Sequence, residues 1–196
     1  MSNGYTQSEL DGIQAEWNLR FPPDLLAILR DRRRVIDQGD KFRSFDWLEV
    51  SDDVIRDSLN WPFEGFLFDV ENDNLWWPEW GQRSTDKFAR EERLRSIFAD
   101  APKLIPIYGH RYIPEEPHEA GNPIFSIWQA DIIHYGADLE DYIARETRSP
   151  DSWQEMKTPK TIRFWTRAVE FNNRRFRDGE SFRFYNKDSV LPDNGG

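Results

Sequence analysis

The stretch Leu104-Ile105-Pro106-Ile107-Tyr108-Gly109-His110-Arg111-Tyr112 decides the fold, together with Gly121-Asn122-Pro123-Ile124-Phe125-Ser126-Ile127, Asp131-Ile132-Ile133-His134-Tyr135-Gly136 and Asp138-Leu139-Glu140-Asp141-Tyr142-Ile143. β-Branched and aromatic residues bounded by Gly and Pro mark strands over 103–108 and 123–133. The join from Pro114 to Gly121 carries Glu115, Glu116 and Glu119 and reads as a long exposed connection. Tyr135-Gly136-Ala137-Asp138 then turns the chain into a helix from Leu139 to about Arg148, with Leu139, Tyr142 and Ile143 on one face.

Upstream, helices dominate. Ser8 as N-cap and Asp11 in the capping-box position predict a first helix, ended by Phe21-Pro22-Pro23. Proline is acceptable in a first turn, so a second helix is expected from Pro23 to about Arg34. Its arginines Arg30, Arg32, Arg33 and Arg34 would then meet the negative end of the helix dipole. An extended segment is expected over 42–50 and a short helix from Ser51 through Leu59. Gly65-Phe66-Leu67-Phe68-Asp69-Val70 alternates like a strand. Thr85 or Asp86 opens a helix to about Asp100, with Phe88, Leu94, Ile97 and Phe98 inward and Arg90 outward. A last helix is expected around 161–174, then a short strand over 181–185 and a frayed, flexible tail from 188 to 196.

The predicted class is α+β: a twisted, mostly antiparallel sheet with helices on one face, in a single domain over 1–187. Its core is expected at about 10–148, with a helical extension over 151–187 that places Ile162, Trp165 and Val169 in a dry environment.

Composition narrows the chemistry. The 196 residues hold 36 acids and 26 bases, a net charge of −10, which disfavours nucleic-acid binding because phosphate contacts need a basic face. Nine Trp, 14 Phe and 6 Tyr supply the buried area of an ordered core. The absence of Cys removes disulfides, thiolate metal sites and Cys nucleophiles. The opening residues lack an export signal and no apolar run could span a bilayer, so a cytoplasmic, membrane-free protein is expected. Gly-x-Ser-x-Gly, Walker and dinucleotide-binding patterns are missing. His110, His118 and His134 with Glu119 and Asp131 could be drawn as a zinc or iron site for a small hydrolase. Their spacing matches no ligand motif, and Asp131 and His134, three apart on one strand, should face opposite ways. No enzyme, metal or cofactor is expected.

Charge is unevenly spread. From Asp46 to Glu79 ten acids face Arg56 alone, whereas Lys157 to Lys187 is predominantly basic. The two regions could pair within one fold, or the acidic one could attract a basic protein. Trp76, Trp77 and Trp80 could likewise cap a core or line a binding surface.

The unit from Leu104 to Ile143 resembles bacterial SMI1/KNR4 proteins of the SUKH superfamily, in which a strand leads into a Gly-containing turn. A second strand follows, here around Pro123 and Ser126, and the unit closes on a helix with aromatic and leucine positions. Trp17 and Phe21-Pro22-Pro23-Asp24-Leu25-Leu26 resemble that family's early part, although Phe21 stands where leucine is usual. The resemblance implies an α+β binding module without catalytic residues. Bacterial members are associated with immunity to toxins, many of them nucleases, and fungal members with regulatory scaffolding. Joined to the charge asymmetry, it makes Asp69, Glu71, Asp73, Trp76, Trp77, Glu79, Glu115 and Glu116 the expected partner-binding residues. The expected partner is a toxin domain, with a scaffold role as the alternative.

Overall fold

The computed structural model describes residues 4–37, 45–149 and 155–177, with side chains through residue 173. Among these residues the helices are α1 (Gln7–Trp17), α2 (Pro23–Asp31), α3 (Asp52–Asn72), α4 (Lys87–Asp100), α5 (Leu139–Thr147) and α6 (Trp165–Arg177). The strands β1 (Leu104–Tyr108), β2 (Arg111–Pro114), β3 (Ile124–Trp128) and β4 (Asp131–Gly136) form one antiparallel meander in sequence order. The α+β class and the antiparallel sheet are therefore as expected. The region 123–133 is not one strand: Gln129, at a φ of 53°, turns β3 into β4. Arg111–Pro114, where the sequence reading placed no strand, forms β2, with Ile113 opposite Ile105. The expected strand at 181–185 and the tail at 188–196 lie outside the described residues.

Helices cover both faces of the sheet rather than one. Ile105, Ile107, Ile113 and Ile124 join Leu10, Leu25, Leu29 and Tyr142 in one core, beneath α1, α2 and α5. Leu104, Tyr112, Phe125, Ile127 and Ile132 join Phe66, Leu94 and Trp165 in a second, beneath α3, α4 and α6. Alternate side chains of a strand point to opposite faces, so a doubly buried sheet needs apolar residues at consecutive positions, as Leu104-Ile105 and Tyr112-Ile113 provide.

Helix termini follow capping chemistry, with shifts from expectation. Thr6, not Ser8, caps α1, and Glu9 returns the bond to the Thr6 N–H at 2.7 Å, completing a capping box. The two bonds from Thr6 hold the Glu9 carboxyl below the usual carboxylate range. Asp86 caps α4 by accepting from the Phe88 N–H at 2.8 Å. That register turns Phe88 outward, 68% exposed, and Arg90 inward, the reverse of the sequence expectation. α2 ends at Asp31, so Arg33 and Arg34 lie beyond it and meet Asp46 and Glu49 instead of the helix dipole. Asp46 is buried and accepts from Arg33 at 3.0 Å and from the Tyr5 hydroxyl at 2.8 Å, which ties the N-terminus to the turn at Trp47–Glu49. That turn stands where an extended segment was expected; residues 42–44 lie outside the described set.

The largest departure is α3. It runs 21 residues, through Pro62 and through the Gly65–Val70 segment that alternates like a strand. Pro62 removes the N–H that would bond the Ser58 carbonyl one turn earlier. The Tyr112 hydroxyl donates to that carbonyl at 3.0 Å, so β2 supplies the missing donor. Two further contacts hold the helix against the β3–β4 turn. Asp69 is buried and accepts from the Ala130 N–H at 2.8 Å. Gly65 is where the turn comes closest: a Cβ there would stand 2.7 Å from Gln129 Cα.

Candidate partner-binding surface

The expected partner-binding residues do not form one surface. Asp69 is fully buried against the β3–β4 turn, and Trp77 is 2% exposed, so both are corrections: they hold the fold and cannot touch a partner. Trp77 lies 4.7 Å from Trp80, 5.3 Å from Phe171 and 5.4 Å from Phe164, centroid to centroid, inside the core shared with α6. The 3-10 turn at Pro78–Trp80 directs Trp77 and Trp80 inward, which settles the core role for both. Trp76 remains half-buried, edge-on to Trp80 at 5.4 Å, its indole N–H donating to the Gly81 carbonyl at 2.7 Å.

Several of the carboxylates are engaged internally. Glu71 accepts from the Arg90 Nε at 2.7 Å and from a second guanidinium nitrogen, a two-pronged contact between α3 and α4. The Arg90 hydrogen bonds hold the Glu71 carboxyl below the usual carboxylate range. Glu79 pairs at 2.8 Å with Arg167, whose guanidinium lies over the Trp77 ring at 5.6 Å. Glu116 pairs at 3.3 Å with Arg163, and Glu119 at 2.7 Å with Lys160. The basic C-terminal region therefore pairs with the acidic join and, through Arg167, with Glu79 of the acidic 46–79 region. Glu115 accepts from the Arg20 N–H at 3.2 Å, and desolvation pushes its carboxyl above the usual range. Asp73, just past α3, stays exposed.

The acid excess survives this pairing on α3. Asp52, Asp57, Glu64 and Asp73 are exposed, and none forms a salt bridge with a described residue. The inner face of the helix is Ile55, Pro62, Phe66, Asp69 and Val70. At 100° per residue the opposite face carries Asp57, Glu64 and Phe68, with Val54 and Trp61 along one flank. Phe68 and Val54 are 49% and 46% exposed. Trp61 is half-buried: its indole N–H donates to the Ile127 carbonyl at 3.2 Å, and its ring meets Trp128 edge-on at 5.4 Å. Reading 65–70 as a strand cuts this face in two, which is why the sequence did not reveal it.

The histidines are dispersed. His110 lies 6.0 Å from Trp128, His118 sits in the acidic join, and His134 faces Phe125 across the β3–β4 ladder at 5.1 Å. Asp131 accepts instead from Asn172 of α6 at 2.7 Å. Among the described residues no three His, Asp or Glu side chains come together as metal ligands. A groove of about 710 Å³ between α2 and α5 mixes acids with bases, Asp24 and Asp138 with Arg32 and Arg145. Asp24 already accepts there from the Gly121 N–H at 2.8 Å. No described helix is long and apolar enough to cross a membrane.

No protein-family model matches the chain, and neither a curated protein nor a solved structure is significantly similar to it.

Proposed function

We propose that this chain is a non-catalytic protein-binding module, an immunity protein of SMI1/KNR4 type that neutralises a basic bacterial toxin domain in the cytoplasm. The observation that carries the reading is the exposed acid left after internal pairing. Asp52, Asp57 and Glu64 line one helix while most acids of the expected surface are engaged within the fold. A nuclease grips its substrate through a basic groove, and carboxylates presented there stand where phosphates would bind. Such attraction accelerates encounter and weakens as salt shortens the Debye length to about 8 Å at physiological strength. The resemblance of Leu104–Ile143 to the immunity-associated family supports the same reading.

The test mixes the purified protein with the toxin encoded next to it. Loss of toxin activity at equimolar protein, with an association rate that falls as salt rises, is the expected result. Full toxin activity at molar excess overturns the proposal.

A further inference from the structure

Resting on that protein-binding reading, we infer that the outer face of α3 is a docking seam for a basic amphipathic helix, anchored by Val54, Trp61 and Phe68 and read for charge by Asp57 and Glu64. The residue spacing defines the partner. Val54, Trp61 and Phe68 recur every seventh position, and Asp57 and Glu64 fall three residues after the first two. Seven residues are close to two helical turns, so these five side chains follow one narrow line along the helix, apolar residues alternating with carboxylates. The seam runs about 21 Å at ~1.5 Å per residue, long enough to seat several turns of a partner.

Single exposed apolar residues need no explanation, but three aligned along one line of a helix, with carboxylates between them, make a mixed apolar and acidic stripe. Helix stability does not account for the acids either. Asp52 and Asp53 sit in the first turn, where they complement the positive end of the helix's own dipole, whereas Asp57 and Glu64 lie beyond its reach. Arg56, the one basic residue of α3, is 3.0 Å from Asp53 and lies over the Trp17 ring at 5.8 Å, off the seam. Trp61 is held in place by the Ile127 carbonyl and Trp128, so the anchor loses little side-chain freedom on binding.

Charge selects among occupants. A second copy of this chain would set Asp57 and Glu64 against their own equivalents, between two molecules of net charge −10. Nucleic acids and anionic membranes are repelled for the same reason. A helix with apolar residues at every seventh position and Lys or Arg between them complements both features together.

The full chain is titrated with a synthetic helix-forming peptide of the length of α3, carrying Leu at every seventh position and Lys at the positions between. A peptide of the same composition in scrambled order serves as comparison. The patterned peptide is expected to bind, and the scrambled one about tenfold more weakly. Phe68→Ala, at an exposed position, and the double change Asp57→Lys/Glu64→Lys should each weaken binding by about tenfold or more. Glu16→Lys/Glu92→Lys, the same charge change elsewhere on the surface, should leave it within about twofold. Equal binding of both peptides, equal weakening by the two charge-reversed proteins, or unchanged binding by Phe68→Ala overturns the seam. A toxin neutralised equally well by Asp57→Lys/Glu64→Lys removes the seam and leaves the immunity reading standing. Seam-dependent peptide binding without toxin neutralisation does the reverse.

Discussion

The Tyr112 hydroxyl donates to the Ser58 carbonyl at 3.0 Å, the one carbonyl of α3 that Pro62 leaves without its helical donor. A strand side chain thereby repairs a defect in a helix that lies 54 residues away in sequence. Burial raises the Tyr112 hydroxyl well above the ordinary tyrosine range, so it remains a proton donor at any working pH. Tyr112→Phe should cost about 1 kcal/mol, the usual net worth of such a bond. Pro62→Ala restores a backbone N–H to the same carbonyl, so the two changes are coupled. In urea titrations Pro62→Ala should be more favourable by about 1 kcal/mol in the Tyr112→Phe protein than in the wild type. Strict additivity would show that Tyr112 has no part in completing the helix.

Gly65 and Gly12 offer a matched comparison, since both lie within helices. Replacing an interior helical glycine by alanine ordinarily stabilises by about 1 kcal/mol. At Gly12 a Cβ meets nothing within 4 Å, so Gly12→Ala should show that gain. At Gly65 the same atom would stand 2.7 Å from Gln129 Cα, a backbone atom that cannot swing aside. Overpacking of this kind costs about 1–3 kcal/mol, which outweighs the propensity term. Thermal unfolding should show opposite signs for the two variants. A stabilised Gly65→Ala protein would mean that α3 and the β3–β4 turn are not in close contact.

The contrast between α3 and the sheet shows what local pattern can reveal. β-Branched residues set off by Gly and Pro mark β1 and the region 123–133, though not the turn at Gln129 that divides that region into β3 and β4, and α5 follows from its periodicity. α3 is hidden because Pro62 and Gly65 are both poor helix residues, and what offsets them, Tyr112 and the β3–β4 turn, is remote in sequence. Phe88 and Arg90 exchange places for a similar reason. Glu71, nineteen residues before Arg90, provides the charge that draws the guanidinium inward. The candidate surface inherits these limits. Asp69 and Trp77 look available as residue types, yet each serves a contact set by tertiary structure. The stripe of Val54, Trp61 and Phe68 emerges only once 52–72 is a continuous helix.

The Glu71–Arg90 contact carries a definite pH signature. Arg90 holds the Glu71 carboxyl below its ordinary 4.5, so the folded state binds this proton less readily than the unfolded chain does. The stabilisation is present above the unfolded value and is lost as pH falls through the folded one. Glu71→Gln should therefore lower the melting temperature at neutral pH and bring the variant closer to the wild type in acid. Melting curves that stay equally far apart from neutral pH down to about pH 3 would show that the ion pair contributes nothing through ionisation.

His134 should act in a higher window. On β4 it faces Phe125 of β3, its Nε2 is buried with no hydrogen-bond partner among the described residues, and desolvation pushes its pKa below the ordinary 6.5. The unfolded chain takes up this proton first, so stability rises with pH across the His range and falls as pH drops below the unfolded value. His134→Phe removes the titrating group and keeps a ring beside Phe125. The melting temperature of the wild type should fall relative to this variant between about pH 7 and pH 5, a comparison in which every carboxylate, Glu115 included, is common to both proteins. Because Glu71 responds only at lower pH, the double variant Glu71→Gln/His134→Phe should show both changes in separate windows. If wild type and His134→Phe keep a constant difference from pH 7 to 5, the imidazole titrates as it does in water and the interior around β4 is wetter than its contacts imply.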